Sequence, residues 1–524
     1  MKRYNKFFKI GCIVFTIFLV CSCDEYFELK RPIQFPWQNA KEMELAVREG
    51  YLQISNDPWF NPMGSLCMVH FGQSDIVQLL PEAIQGNNYA VQYYNRTYAT
   101  AAPDKEVDEM FKFPYYIITN NNAALTLLNE AEENGRDPFE GMIDADRELV
   151  KRYKGELYFM RAVAYWYLAR VYMPPLDPNG SNDSRHFVLR TDYINKAEEL
   201  KNPTLGSVAE VWAQIQGDLE KAKELLPESY VSTETQPKGR ANKFAASGML
   251  LRVYFMTGQH AKALAECDYI LGSSMYDLSE DPIVAFNRTG AESSKEVIWE
   301  TAYVSPSTRF DRTPGIYGKN LYNNNNRGGD YSTYTMAYSA LKEIGWMADG
   351  LNGDYTEIPE ALNDKRYTQL YKRYEAYGTP GGDPNATCKV GRPHVWIDKY
   401  FRSSNGRYSN RPMIRLAEIY LTRSILRFNA GNKSGAAQDL NVVRNRAGLD
   451  DISPDAITAT DIHNERIKEL AAEHGDRVYY LIGLRLPLGI GDRDPARFSP
   501  VNAPYADYYW QIPLRERQQN QAYQ

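Results

Sequence analysis

Nine charged side chains crowd the C-terminal part of the chain: Arg415, Glu418, Arg444, Arg446, Glu465, Arg466, Glu469, Glu473 and Arg477. Two glutamates facing one cleft at roughly 5–10 Å would supply the general acid and base of a glycosidase. Glu465, Glu469 and Glu473 instead recur every four residues, which puts them on one helix face with their carboxylates directed the same way. That spacing predicts structural ion pairs with the neighbouring arginines. His463 and His474 lie eleven apart and form no HExxH pattern. Cys67, Cys267 and Cys388 are scattered, without metal-ligand spacing or a disulfide framework. No Ser-His-Asp order, phosphate loop or nucleotide fingerprint is present, so neither a metal nor a cofactor is expected.

Capture is the other chemistry these residues could perform. A sugar presents hydroxyls around apolar C–H faces, so a protein that holds one in water needs flat rings beside carboxylates, amides and guanidinium groups. Stretches rich in Gly, Pro and Asn carry that mixture, at about residues 55–110, 272–335 and 376–412. The first offers Trp59, Asp75, Tyr89, Tyr93, Tyr94 and Arg96, and the second Tyr322, Asn324, Arg327, Asp330 and Tyr331. The third adds Trp396. A glycosidase would need two of Asp75, Glu82, Asp311 and Asp330 to converge. Tyrosine is abundant, 39 against 20 Phe, and its polar tip suits wet, half-buried surfaces and ligand-facing loops. Trp166, Trp212 and Trp299 fall within regular elements and are read as core.

The elements that must position these loops are helical. "RYKGELYFMRAVAYWYLARVY" (152–172) sets Leu157, Met160, Ala164, Leu168 and Val171 on one stripe and stops at Pro174-Pro175. Residues 240–271 and 414–448 each read as helix, glycine turn, helix, about Gly258 and Gly431. Laid glycine on glycine, Ala263 meets Ala436, Cys267 meets Leu440, and Ile270 meets Val443. Small residues on the second helix are the mark of tetratricopeptide-type packing. The expected fold is predominantly all-α: a tetratricopeptide-like helical repeat scaffold with long irregular loop excursions and a few short strands.

The N-terminus carries Lys2, Arg3, Lys6 and Lys9, then an apolar run from Ile10 to Val20. Eleven helical residues rise about 16 Å, too little to span a bilayer, so residues 1–22 read as a secretory signal. Cys21 and Ser22 before Cys23 resemble the lipobox of bacterial lipoproteins, which makes Cys23 the expected acylation site and membrane tether. Loss of residues 1–22 moves the formal charge from −6 to −10. An acidic surface argues against nucleic acid.

Four motifs then carry a family resemblance: "GELYFMRAVAYWYLARVY", "GRANKFAASGMLLRVYFMTGQHAKAL" with the strand-like "KEVIWE", the block "MIRLAEIYLTRSILRFNAGNKSGAAQDLNVVRNRAG" followed by "ERIKELAAEHGDRVYYL", and "QIPLRERQQN". Together they resemble the SusD/RagB family of Bacteroidetes surface lipoproteins. The resemblance implies one SusD-like domain over 23–524, with an N-terminal part to about 230, repeats and loop insertions over about 231–400, and a C-terminal helical part from about 401. It implies a non-enzymatic, outer-membrane, lipid-anchored protein facing the cell exterior. Such a protein captures a glycan or oligosaccharide as the lid of a SusC-type TonB-dependent transporter, with peptide cargo as the alternative. Asp24 and Glu25 after the cysteine look like the surface-export signal of those lipoproteins. Cys23→Ala is expected to move the protein from the membrane to the soluble fraction on cell fractionation; full retention in the membrane would rule out acylation as the tether.

Overall fold

The helix α4 (Asp144–Tyr172) is the centre around which the chain is arranged. It begins where the Asp146 carboxylate accepts the Ile143 backbone N–H at 3.2 Å, and it ends at an extended Met173 before Pro174. Sequence reading gives it one apolar stripe. Almost every residue from Tyr153 to Tyr172 is nevertheless buried, because α1 (Ala40–Ser55), α3 (Lys105–Glu133) and α5 (Val208–Leu225) surround it. Its charged side chains are matched inside. Arg161 makes two bonds to Asp218, at 2.8 and 2.7 Å, and Arg170 donates to the carbonyls of His474 and Gly475.

The computed structural model describes residues 37–55, 69–79, 88–97, 105–194, 203–230, 237–286, 294–301, 334–350, 355–374, 394–400 and 410–523. Residues 39–524 form one unit and residues 1–38 another; the signal segment and Cys23 lie outside the described residues. Between the helices already named come β1 (Val77–Leu79), α2 (Asn88–Tyr94), and the paired β2 (Arg185–Val188) and β3 (Leu205–Ser207). No described helix is long and apolar enough to cross a membrane.

Both glycine-centred hairpins form as the repeat reading expects. In α6 (Lys243–Met256) and α7 (His260–Leu271) the turn runs through Gly258 at φ +75°. The second hairpin comes later in the chain, after β4 (Val297–Thr301), β5 (Tyr334–Met336), α8 (Tyr338–Glu343), the hairpin β6 (Met347–Asp349) and β7 (Tyr355–Glu357), α9 (Lys365–Leu370), and the pair β8 (Tyr371–Tyr374) and β9 (His394–Ile397). It is preceded by β10 (Arg411–Arg415) and consists of α10 (Leu416–Asn429) and α11 (Lys433–Arg446), turning at Gly431, φ +81°. Ala263, Cys267, Ile270, Ala436, Leu440 and Val443 are all fully buried, and α7 packs on α10. The chain closes with α12 (Ala459–Leu470), α13 (Asp476–Gly483) and α14 (Leu514–Gln519).

Two details depart from the periodic reading. Ile414 and Arg415 belong to β10, which pairs antiparallel with β4 in the register Ile414↔Trp299 and Arg415↔Val297. Pro412 removes a backbone donor there, and the helix starts only at Leu416, whose N–H bonds the Glu296 carbonyl at 3.0 Å. Glu473 is also not on the helix of Glu465 and Glu469. That helix ends at Leu470, and Ala472, His474 and Gly475 at positive φ fold the chain back.

The turn nonetheless returns Glu473 to the same charge cluster. Arg415 bonds Glu296 at 2.7 Å, both oxygens of Glu473 at 2.7 and 2.8 Å, and Glu469. Arg446 bridges Glu296 and Glu469, Lys399 reaches Glu473 at 2.6 Å, and Arg366 joins Asp364 to Glu465. All are buried. Burial alone would raise the Glu469 carboxyl, but Arg446, Arg415 and Arg366 hold it well below the usual range. The predicted ion pairs are therefore present, and they are interior. Arg415→Met, which leaves three buried carboxylates short of a cation, is expected to cost about 3–5 kcal/mol in urea unfolding; a loss below 1 kcal/mol would show the network to be dispensable.

Candidate ligand-binding site

Strands β1 and β5 are short, but they join distant parts of the chain. They pair antiparallel with Leu79 opposite Tyr334 and Val77 opposite Met336. Leu79, the last described residue before 80–87, thus lies beside Tyr334, the first described residue after 302–333. Behind the pair lies a core including Phe71, Val77, Met336, Leu341, Trp346 and Ile397.

The sequence-predicted residues divide between the loops and this foundation. Trp59, Tyr322, Asn324, Arg327, Asp330 and Tyr331 lie outside the described residues, as do Glu82 and Asp311. Tyr89 is on α2, and nothing is described of its side chain. Four others gather at the base. Asp75 pairs with Arg477 through both oxygens at 2.8 Å; burial favours its neutral form, yet the charges of Arg477 and Arg96 keep its pKa below the usual value. Tyr93 is buried, its hydroxyl against Met110 Sδ and its ring edge-on to Trp510 at 5.6 Å. Tyr94 lies beneath the Arg493 guanidinium, 4.1 Å from ring centroid to charge. Arg96, at φ +52°, donates to the carbonyls of Gln73, Leu488 and Gly489. These side chains hold the base together.

Trp396 requires correction. It sits on β9 with 1 % of its surface exposed, so it packs the interior and faces no ligand. A β-strand buried on both faces turns every side chain inward, and a Pro- and Gly-rich approach disguised it as loop.

Sequence reading missed the strap that follows α13. Arg493 donates to four carbonyls, those of Gly72 (2.7 Å), Ser74 (2.8 Å), Tyr94 (2.8 Å) and Ile490 (2.9 Å). Burial and the nearby Arg96 charge lower its pKa to about 10. Asp492 accepts the backbone N–H groups of Tyr338 and Ser339 at 2.6 and 3.0 Å, at the start of α8. At Gly491, φ +60°, a Cβ would fall 2.3 Å from the Asp75 carbonyl oxygen. Two adjacent side chains thus pin the chain on both sides of the β1–β5 junction. The only sequence signal is "GIGDRDPARF", which reads as an ordinary turn. Among the described residues no group of His, Cys, Asp and Glu could hold a metal ion.

Stacked helical hairpins joined to small two-stranded sheets define a tetratricopeptide-like class of scaffold. Residues 72–255 match a family model described as SusD-like, starch-binding and associating with the outer membrane, and residues 254–481 match the SusD family model. SusD-like protein P2 of Formosa agariphila is 24% identical over 470 residues, spanning 86% of this chain and 82% of that protein. A SusD superfamily crystal structure from Bacteroides thetaiotaomicron superposes with a TM-score of 0.70 at 19% identity, covering 92% of this chain and 98% of the other. A laminarin-binding SusD-like protein gives 0.66 at 18%, covering 93% and 98%. The chain belongs to the SusD/RagB family.

Arg493→Gln, which cannot serve four carbonyls, is expected to speed amide exchange in residues 69–79 and 88–97 roughly 10- to 100-fold, from a loss of about 1.5–3 kcal/mol, with α6 and α7 unchanged. Exchange followed by mass spectrometry checks this, and uniform protection would overturn the anchoring role.

Proposed function

We propose that the protein captures a glycan or oligosaccharide at the outer cell surface and passes it to a SusC-type TonB-dependent transporter, over which it acts as a lid. Family membership supports this reading, as does the laminarin-binding protein that shares the fold. The observation that supports it is the pairing of Leu79 with Tyr334, which joins the stretch 55–110 to the end of the stretch 272–335, the two richest in the residue types a sugar site uses. Trp59, Tyr89, Tyr322, Asn324, Arg327, Asp330 and Tyr331 are the proposed ligand contacts. Asp75, Tyr93, Tyr94 and Arg96 form the frame beneath them. The membrane is reached through acylated Cys23, and the acidic residues after it direct the protein outward.

On this reading the ligand leaves unaltered. Asp75, one of the carboxylates a glycosidase could use, has both oxygens occupied by Arg477 and a lowered pKa, the opposite of what a general acid needs. Calorimetry of residues 24–524 against plant, host and microbial glycans, beside a peptide digest, is expected to give saturable heat with a glycan and no new reducing ends. Trp59→Ala or Tyr322→Ala should weaken binding about tenfold or more, as loss of a stacked ring does. Heat from peptides alone would reassign the cargo, and release of reducing sugar would make the protein an enzyme.

A further inference from the structure

A cleft of about 660 Å³ opens between the first turns of α3, the end of β2 and the C-terminal α14, within the range of small-molecule sites. "QIPLRERQQN", one of the stretches that carries the family resemblance, forms one wall of it. The proposed loop contacts do not line it.

Its lining has a definite chemistry. Phe111 and Tyr115 lie together in the cleft with ring centroids 5.3 Å apart, and Tyr115 is fixed by its hydroxyl donating to the Val188 carbonyl at 2.7 Å. Of the carboxylates, Glu109 faces Lys112 at 3.6 Å, Glu516 accepts from Asn520 at 2.8 Å, and Asp108 has contacts of its own. The guanidinium groups of Arg190, just past β2, and of Arg515, on α14, have no ion pair or hydrogen bond among the described residues. Arg190 is nonetheless rigidly based. Its N–H donates to the Tyr165 oxygen at 2.7 Å, and its carbonyl accepts from Tyr165 and Asn122.

We infer that this cleft is a second binding site, for an anionic saccharide. Tyr115, backed by the buried Phe111, provides apolar surface for a C–H face of the sugar ring, and Arg190 and Arg515 grip its carboxylate or sulfate. Planar forks suit such oxyanions because they donate two parallel hydrogen bonds. The acids already engaged in the cleft favour a sugar carrying one charge among hydroxyls over a polyanion. The inference takes its ligand class from the glycan reading, while the site itself stands on the cleft geometry.

The test is titration of residues 24–524 with trigalacturonate and with its methyl ester, which keeps the sugar and removes the charge. Expected is saturable binding of the acid, weakened at least tenfold by esterification and equally by Arg190→Gln or Arg515→Gln, with thermal unfolding unchanged. A sulfated disaccharide distinguishes the two oxyanions: competition with trigalacturonate that is lost in the same variants extends the site to sulfate esters. Undiminished binding of the acid by the double variant overturns the site. So does displacement of trigalacturonate by acetate or inorganic sulfate at equal concentration, which would mean a simple ion site. Binding of neutral glycans without any acidic one sinks this inference alone. Silence from every saccharide sinks the glycan reading with it.

Discussion

Arg415 is the residue on which the architecture turns. Its guanidinium is out of water, among three glutamates that arrive from before β4, from the end of α12 and from the turn beyond it. Desolvating such groups is costly, and their attraction offsets the cost only when every hydrogen bond is made. The gain is therefore one of specificity. A one-residue slip of β10 against β4 would turn Arg415 to the opposite face and strand three buried carboxylates. The cluster thus fixes a strand register that two short, irregular strands could not fix unaided. It also fixes where α10 begins and how α12 lies across it, and through them the helical hairpin joins the small sheets.

From this joint outward, the molecule uses arginine in two ways. Near α12 the guanidinium groups meet carboxylates: Arg466 with Asp476 and Arg252 with Glu418. Around β1 Arg96 and Arg493 meet backbone carbonyls instead. A carbonyl has no competing charged state, so these bonds tie chain to chain without a matching acid.

The helical part was legible in the sequence for a simple reason. Period, glycine turns and the Pro174-Pro175 stop are local signals, and α4, α6, α7, α10 and α11 obey them. The glutamates were legible as partners of arginine because their spacing is helical, although Glu473 reaches the cluster by a turn. What escaped was non-local. Trp396 is buried on a strand that a Gly- and Pro-rich approach hides, and Arg493, set between Asp492 and Asp494 in sequence, turns instead to the carbonyls of Gly72, Ser74 and Tyr94, far away in the chain. The tyrosine excess misled in part: Tyr165, Tyr371 and Tyr505 are interior, each sending its hydroxyl to a main-chain carbonyl. Composition cannot separate such a tyrosine from one that waits for a sugar.

The strap also sets an order of assembly. Arg96 finds Gly489 across 393 residues, and Arg493 finds Gly72 across 421. A chain made from its N-terminus can pair helices as they emerge, since their contacts are near in sequence. The frame around β1 must wait for nearly the last residues to be synthesised. The frame around β1 is thus the last part of the described structure that can be completed, and the strap acts as a check on length: a chain ending before residue 484 keeps the sequence of its helical hairpins and lacks the clasp on Gly72, Ser74 and Tyr94.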